Sequence, residues 1–430
     1  MQSILSWFSR STPIGLLILG FLVGVGGALG AALFHILIFL STTAFYGLST
    51  DVGFIENLES MSVWQRLLIP TLGGLLVGII YKISRVTEAE GEGVPEVMEA
   101  LAHKRGNIRP IVGPIKIITA AITLGSGGSA GREGPVIQIG SAIGSSIAQL
   151  FRQATSEKSL LLAAGAAAGI GGTFGAPIAG ILFTIEILHH RPNPLRSTIL
   201  VLAAFTGAVG ARFLTGYEGL RFKMEEIFTF EPYSIGGVLG LSVIAVFVAL
   251  LFGKILNLSR TFLKNLEIPH IIKPAFGGLV IGIVGLLVPH IHEPATYPLM
   301  IDLISLTALP LTFLVLLLFI KMFATGVTLG SGGSGGIFAP LLLMGALTGS
   351  ILGGLLVLFG SVPLTFVPVL IFTGMATVFA AAAHASLTAA FITYEMTGEL
   401  TLLIPLLITC LIASFLAKRI KPESVYNHNM

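Results

Sequence analysis

Long apolar runs separated by short polar segments restrict this chain to very few kinds of fold. The runs lie at about 13–48, 66–84, 110–130, 159–188, 196–214, 234–256, 272–290, 308–328, 337–360, 364–382 and 385–418. Most are close to or longer than the ~20 residues with which a helix crosses a bilayer. Only 10% of the residues are charged, far below the ~25% that is typical of soluble domains. The sequence therefore predicts an all-α, polytopic membrane protein.

Composition also limits what the chain can bind. The single cysteine, Cys410, excludes an intrachain disulfide and a metal cluster held by cysteines. A net charge of +3 gives no basis for binding nucleic acid. The first apolar run, from about 13 to 48, is much longer than the ~7–15 residues of a secretory signal core and predicts one long, tilted helix. We expect membrane lipid around the chain, and no metal, cofactor or nucleic-acid partner.

Basic residues are concentrated in particular segments and predict the orientation in the membrane. The segment 82–109 contains five cations, and the C-terminal segment contains three; they are Lys82, Arg85, Lys104, Arg105, Arg109, Lys418, Arg419 and Lys421. Cytoplasmic loops of membrane proteins carry an excess of Lys and Arg. The 82–109 loop and both termini are therefore expected to face the cytoplasm, and the bilayer is expected to be a bacterial inner membrane.

The sequence contains an internal repeat. Residues 115–147 and 320–352 align without gaps at an offset of 205, with 14 identities in 33 pairs and the shared run TLGSGGS. A second pair, 174–187 and 383–396, places Glu186 opposite Glu395. Duplicated halves with broken helices at matching places are typical of secondary transporters. The sequence predicts a single domain over 1–430, with a first half at about 13–214 and a second half at about 230–427.

Three glycine-rich segments each lead into a helix start marked by proline. They are GEGVP at 91–95, GREGP at 131–135 and GIFAP at 336–340. Proline is tolerated in the first turn of a helix, and the first N–H groups of a helix have no partner within it. The helix dipole adds positive potential at this end, so such a terminus can hold an anion without a lysine. Three of them in one membrane protein predict an anion path.

Glu133 lies in the middle of GREGP. An ionisable residue at membrane depth is a functional candidate by default. A charged carboxylate can occupy an anion site itself, and a protonated one can leave it. Glu133 is therefore predicted to act both as a gate and as a proton carrier.

These three motifs resemble the anion-pore motifs of the CLC family of chloride channels and chloride/proton antiporters. Val425 and Tyr426 resemble the fourth motif, and the four motifs occur in the family's order. The resemblance extends over nearly the whole chain, from about residue 13 to 427. The resemblance implies an all-helical CLC fold of two inverted halves. It also implies a homodimer with one pore in each subunit, chloride as the ligand, and a transport protein rather than an enzyme.

The resemblance also implies roles for particular residues. Glu133 corresponds to the gating glutamate, and Tyr426 to the tyrosine whose hydroxyl donates to the central anion. The backbone amides of Ile337 and Phe338 correspond to those that hold this anion. Lys116, 17 residues before Glu133, corresponds to an intramembrane lysine that gives electrostatic support; a purely structural cation is the alternative. The predicted anion-binding set is Gly91, Glu92, Gly93, Gly131, Arg132, Glu133, Gly134, Gly336, Ile337, Phe338, Ala339 and Tyr426.

Glu92 departs from the family's pattern, which often has serine at this place. A charged carboxylate there would repel an anion by roughly 4 kcal/mol at about 4 Å and an effective dielectric constant near 20. One hypothesis is that Glu92 binds a proton when the central site holds an anion, and so joins Glu133 as a gating and proton residue. The other is that Glu92 points to cytoplasmic water and forms only a salt bridge, with Lys82 or Arg85.

Ile187 is the second departure. Antiporters of the family usually carry a proton-transfer glutamate directly after the position of Glu186, and isoleucine cannot relay a proton. We therefore expect chloride transport with H⁺ exchange by an atypical route. The alternative is a passive voltage- or pH-gated chloride channel without proton coupling, which Ile187 favours.

Two further alternatives have weaker support. A fluoride exporter fits less well, because GREGP keeps its proline and Tyr426 is present. An intramembrane enzyme using Glu133 or His384 would need a nucleophile–base pair or a metal-ligand spacing, and the sequence offers neither.

Overall fold

Helices make up nearly all the regular structure in the computed structural model, which describes residues 12–47, 54–189, 193–216, 221–222, 232–293, 297–304 and 309–427. In the first half these are α1 (Pro13–Tyr46), α2 (Phe54–Ser60), α3 (Val63–Ser84), α4 (Val94–Ala102), α5 (Val112–Gly125), α6 (Glu133–Leu150), α7 (Thr155–Phe174), α8 (Pro177–Glu186) and α9 (Pro194–Thr215). In the second half they are α10 (Pro232–Asn265), α11 (Lys273–Leu287), α12 (Tyr297–Ile304), α13 (Leu311–Gly330), α14 (Phe338–Leu358), α15 (Val367–Ala383), α16 (Ser386–Thr397) and α17 (Leu403–Ile420). Within the described ranges, eight helices are long and apolar enough to cross a membrane, which confirms the predicted helical membrane architecture.

Helix α1 is continuous over 34 residues, as its apolar run predicts. The hydroxyl of Thr12 accepts the N–H of Gly15 and caps its start, and Gly47 ends it in the left-handed conformation that glycine adopts freely. At about 1.5 Å per residue this helix is roughly 50 Å long, whereas the hydrocarbon core is about 30 Å thick. Its apolar length therefore exceeds the thickness of the hydrocarbon core, as is expected of a tilted helix.

Two of the apolar runs, at about 159–188 and 385–418, each contain two helices. Gly175, at φ +66°, separates α7 from α8, and Gly398, at φ +71°, follows α16. The position equivalent to Gly175 in the second half is occupied by His384, at φ 57°. Both halves thus break the chain at the same place with a left-handed residue.

The two halves are built from matching elements in the same order. Helices α1 and α3–α9 correspond to α10–α17, in an inverted arrangement. The halves interlock, because the N–H of Ser129 donates to the Thr328 hydroxyl at 3.1 Å and the N–H of Ser334 donates to the Thr123 hydroxyl at 3.1 Å. These two bonds join equivalent atoms, since Ser334 and Thr328 each lie 205 positions after their counterparts in the first half.

Glycine allows the helices behind the motifs to pack backbone to backbone. A Cβ on Gly140 of α6 would lie 2.1 Å from the Gly165 carbonyl oxygen of α7. The equivalent pair in the second half is Gly345 and Gly374, where a Cβ on Gly345 would lie 2.2 Å from the Gly374 oxygen. Small residues allow this close approach of helices in a membrane. They hold α6 and α14, which carry the central motifs, firmly against α7 and α15.

Candidate functional site

The three glycine-rich segments meet at one place in the interior. Gly131 and Gly336 exchange two backbone hydrogen bonds, of 2.7 and 2.6 Å, and the N–H of Gly335 donates to the Gly91 carbonyl at 3.1 Å. A Cβ on Gly134 would lie 2.9 Å from the Cα of Gly336. The N-terminal ends of α4, α6 and α14 therefore lie side by side, as the prediction of a common anion path requires.

The carboxylate of Glu133 lies against the start of α14. Its Oε2 atom accepts the backbone N–H of Ala339 at 3.2 Å, and the residue is fully buried, with 0% of its surface exposed. The first N–H groups of a helix attract negative charge. Glu133 thus stands where a small anion would be held by α14.

Aromatic packing fixes the first turn of α14. Ile337 is the N-cap residue, and the ring of Phe338 lies 4.3 Å from that of Phe379 and 5.4 Å from that of Phe174, measured between centroids. The N–H groups at this helix start are therefore surrounded by rigid apolar side chains. An anion held there exchanges much of its water shell for backbone N–H groups.

Tyr426 closes the site from the C-terminal segment. Only 2% of its surface is exposed, and the neighbouring Val425 anchors the segment by donating its N–H to the Ala382 carbonyl at 2.9 Å. Burial, followed by the negative charges of Glu92 and Glu133, raises the pKa of the Tyr426 hydroxyl. The hydroxyl therefore keeps its proton and remains a hydrogen-bond donor within the electrostatic reach of both acids.

Lys116 supports the loop that leads into α4. It is fully buried, and its Nζ donates to the carbonyls of Gly91 at 2.7 Å and Ala89 at 3.1 Å. The Ala89 carbonyl also accepts the hydroxyl of Tyr81 at 3.0 Å. These bonds fix the backbone of the GEGVP loop and bring a cation close to its acids.

Glu92 is buried and paired, but its partner differs from those expected. Only 2% of its surface is exposed, and its Oε1 atom forms an ion pair with Arg260 of α10. The expected salt bridge exists, but its partner is Arg260 rather than Lys82 or Arg85, and Glu92 is buried beneath it. The α10 helix reaches over the loop 91–93, and no local pattern in the sequence could indicate this contact between residues 168 positions apart.

A cavity of about 600 Å³ lies beside this ion pair. It is lined by charged side chains from the GEGVP loop, α4, the end of α10 and the start of α11, among them Glu90, Glu92, Glu96, Arg260, Lys264 and Lys273. Burial raises the pKa of Glu92, and the charges of Arg260 and Lys116 oppose this effect. A cavity lined by charged side chains therefore reaches a buried acid next to the anion site.

Arg132 and Ile187 complete the predicted set. Arg132 is the N-cap residue of α6, is buried, and lines a narrow cavity with His35 and Thr173. Ile187 has only 4% of its surface exposed, directly after α8. The carboxylate of Glu186 accepts backbone N–H groups from α16.

The described residues contain no group of three or more His, Cys, Asp or Glu side chains that could hold a metal ion. His384 caps the end of α15 in a left-handed conformation. The helix N-termini of this interior can bind small anions, and titratable carboxylates lie next to them.

Sequence comparisons identify similar proteins over almost the whole chain. Residues 73–418 match the sequence profile of the family described as "Voltage gated chloride channel". The chain is 32% identical over 422 residues to the voltage-gated ClC-type chloride channel ClcB of Salmonella typhi, covering 96% of this chain and 98% of that protein. It is 29% identical over 416 residues to ClcB of Escherichia coli strain SMS-3-5 / SECEC, with the same two coverages of 96% and 98%.

Solved structures share the fold. A slow cyanobacterial Cl⁻/H⁺ antiporter superposes with a TM-score of 0.84 at 24% identity, covering 96% of both chains. A CLC-type fluoride/proton antiporter superposes with a TM-score of 0.79 at 22% identity, covering 96% of this chain and 97% of that one.

Proposed function

Because the chain belongs to the CLC family of chloride channels and chloride/proton antiporters, we propose that it carries chloride across the membrane through a pore gated by Glu133. The observation that carries this proposal is the hydrogen bond from the Ala339 N–H to the Glu133 carboxylate. The gate occupies the place that the helix dipole prepares for an anion. The family consists of channels and transporters, and the site chemistry requires neither a cofactor nor a covalent step.

The gate works by competition between two anions. A charged Glu133 carboxylate excludes chloride from the N-terminus of α14. Protonation removes its charge, so the N–H groups there hold chloride more strongly than they hold the neutral acid. Chloride then moves in, with the Tyr426 hydroxyl as a further donor. Flux is therefore expected to increase as the pH falls.

Proton exchange needs a second titratable group on the cytoplasmic side of Glu133. Ile187 cannot supply it, and the Glu186 carboxylate caps another helix. Glu92 is the acid that lies next to the anion site and also lines a polar cavity. We propose that exchange uses Glu92. The second candidate function, a passive chloride channel, is favoured by Ile187.

The assembly and the orientation are proposals as well. We expect a homodimer with one pore in each subunit, in a bacterial inner membrane, with the 82–109 loop and both termini in the cytoplasm. The division at about 13–214 and 230–427 remains a prediction. The excess of Lys and Arg in the 82–109 loop supports the orientation.

The test is transport by purified protein in liposomes. Vesicles loaded with chloride are diluted into low-chloride medium, and chloride and pH are recorded together at a clamped voltage. Chloride efflux that requires the protein supports the proposed pore, and uphill proton movement driven by the chloride gradient supports exchange. Chloride efflux without proton movement identifies the passive channel, and absence of efflux contradicts the proposed function.

A further inference from the structure

The 600 Å³ cavity beside Glu92 is lined by three acids of one short segment. Glu90, Glu92 and Glu96 all face it. In the described structure, Oε1 of Glu90 and Oε2 of Glu92 are buried without a hydrogen-bond partner. Buried polar atoms are almost always satisfied by protein or by ordered water. These two oxygens therefore require water or a proton, and the cavity is roomy and polar enough to supply them.

Glu96 has a different environment. Its Oε2 atom accepts the N–H of Gly93 at 2.8 Å and so caps α4. Burial raises the pKa of Glu96 to about 7, with Lys116 acting in the opposite direction. A proton can therefore be gained and lost on this wall of the cavity at neutral pH.

Basic side chains approach the acids from three elements. Lys116 approaches from α5, Arg260 from α10, and His270 from the segment before α11, with its Nε2 atom 3.6 Å from Oε2 of Glu90. Lys273 is occupied elsewhere, because its Nζ donates to the carbonyls of Leu263 and Lys264 at 2.9 Å. Of these groups, Arg260 forms the ion pair with the acid closest to the pore.

We propose that this cavity is the cytoplasmic proton inlet of the exchange route and that Arg260 is the residue that switches it. The inference rests on the proposed exchange function. A proton from cytoplasmic water reaches the Glu92 carboxylate by way of the cavity and its acids. Neutral Glu92 no longer holds Arg260 by charge, and it no longer repels chloride next to Tyr426. When the proton moves on, Glu92 pairs again with Arg260, and the inlet is reset.

The first test removes the switch. Arg260→Gln removes the cation that pairs with Glu92 and opposes the rise of its pKa, so the protonated form of the acid is favoured. We expect chloride flux to continue, the number of protons moved per chloride to fall several-fold, and the pH dependence of flux to shift upward by about one unit, which corresponds to a tenfold change in proton affinity. Arg260→Lys should restore most of the coupling. Lys264→Gln, which removes a cation from the same cavity without touching Glu92, is the matched control.

The second test asks whether the cavity is accessible to water. The one natural cysteine, Cys410, is fully buried, so an introduced Glu90→Cys is a specific target. A charged methanethiosulfonate reagent that cannot cross the bilayer should react from the side of the 82–109 loop, and reaction should reduce proton flux several-fold while chloride flux continues.

The outcomes separate this inference from the proposed function. Coupled exchange in the parent that is insensitive to Arg260→Gln and to modification at position 90 overturns the inlet but leaves chloride transport and exchange intact. Chloride flux without protons in the parent overturns both the inlet and exchange. No chloride flux in the parent contradicts the proposed function itself.

Discussion

Glu186 and Glu395 each cap the start of the helix that carries the other. The Glu186 carboxylate, at the end of α8, accepts the N–H groups of Leu387 and Thr388 at 2.9 and 2.7 Å. The Glu395 carboxylate, near the end of α16, accepts those of Ile178 and Ala179 at 3.0 and 2.8 Å. Two antiparallel helices from different halves are thus joined at both ends by equivalent bonds.

This reciprocal capping predicts a structural role for both acids. Glu186→Gln and Glu395→Gln should each reduce stability by about 1 kcal/mol, as loss of a helix cap does, and should leave the proton-to-chloride ratio unchanged. The measurement is the apparent melting temperature in detergent together with coupled flux, with the exposed Glu99→Gln as control. A selective loss of proton flux in Glu186→Gln alone would identify Glu186 as a relay.

Glu133→Gln should behave as a permanently protonated gate. Its neutral side chain cannot compete with chloride for the start of α14, so chloride flux is expected to continue or increase and to lose its pH dependence, with no proton movement. Flux recorded between pH 4.5 and 7.5 tests this, and a pH dependence equal to that of the parent would remove Glu133 from the gate.

Tyr426→Phe should weaken chloride binding, because it removes one hydroxyl donor and keeps the packing of the ring. A hydrogen bond to a charged partner contributes about 1.5–3 kcal/mol, which corresponds to a loss of affinity of roughly 10- to 150-fold. Calorimetric titration with chloride measures it. Equal affinity in the variant and the parent would mean that the hydroxyl does not contact the anion.

Glu92→Gln should separate proton movement from chloride movement. The amide cannot carry a proton, and it resembles the neutral acid that permits chloride next to it. We expect proton coupling to be lost while chloride flux persists. Glu88→Gln is the control, since Glu88 forms an exposed ion pair with Arg109 on the same loop. If the parent, Glu92→Gln and Glu88→Gln all move the same number of protons per chloride, the Glu92–Arg260 pair is only structural.

Lys116 and Lys321 occupy equivalent positions in the two halves and should respond differently to methionine. Lys116 donates to two carbonyls, so Lys116→Met should lower stability by about 3 kcal/mol and weaken chloride binding. The Nζ of Lys321 is buried without a hydrogen-bond partner in the described structure. Because an unsatisfied buried polar group is costly, Lys321→Met should leave the melting temperature equal or higher. A large loss of stability in Lys321→Met would contradict this reading.

The sequence was sufficient for the features that repeat or that depend on local chemistry. The 205-residue offset predicted which segments are equivalent, and glycine followed by proline predicted three helix starts. Glu133 stands out in the sequence because an ionisable residue at membrane depth is a functional candidate. Even the Glu186–Glu395 relationship was partly visible, since the alignment placed the two acids opposite each other, although not their contacts.

The remaining features depend on the packing of distant helices. Arg260 lies near the end of a long apolar helix, where a cation is expected to reach the membrane surface, and only the crossing of α10 over the GEGVP loop brings it to Glu92. The carbonyl partners of Lys116 likewise follow from the path of the backbone at Ala89 and Gly91. Neither contact leaves a periodic or compositional signal.

The double hydrogen bond between Gly131 and Gly336 limits how this protein can move. Many transporters with repeated halves expose their site by rocking one half against the other. Here such a rotation would first separate two backbones that touch at the axis relating the halves, and would leave their buried polar groups unpaired. We therefore expect the halves to stay together as one rigid frame during transport, so that the moving part is as small as a single side chain. In such a frame, the time for which the Glu133 carboxylate stays away from the start of α14 would distinguish a tightly coupled exchanger from a protein that leaks chloride.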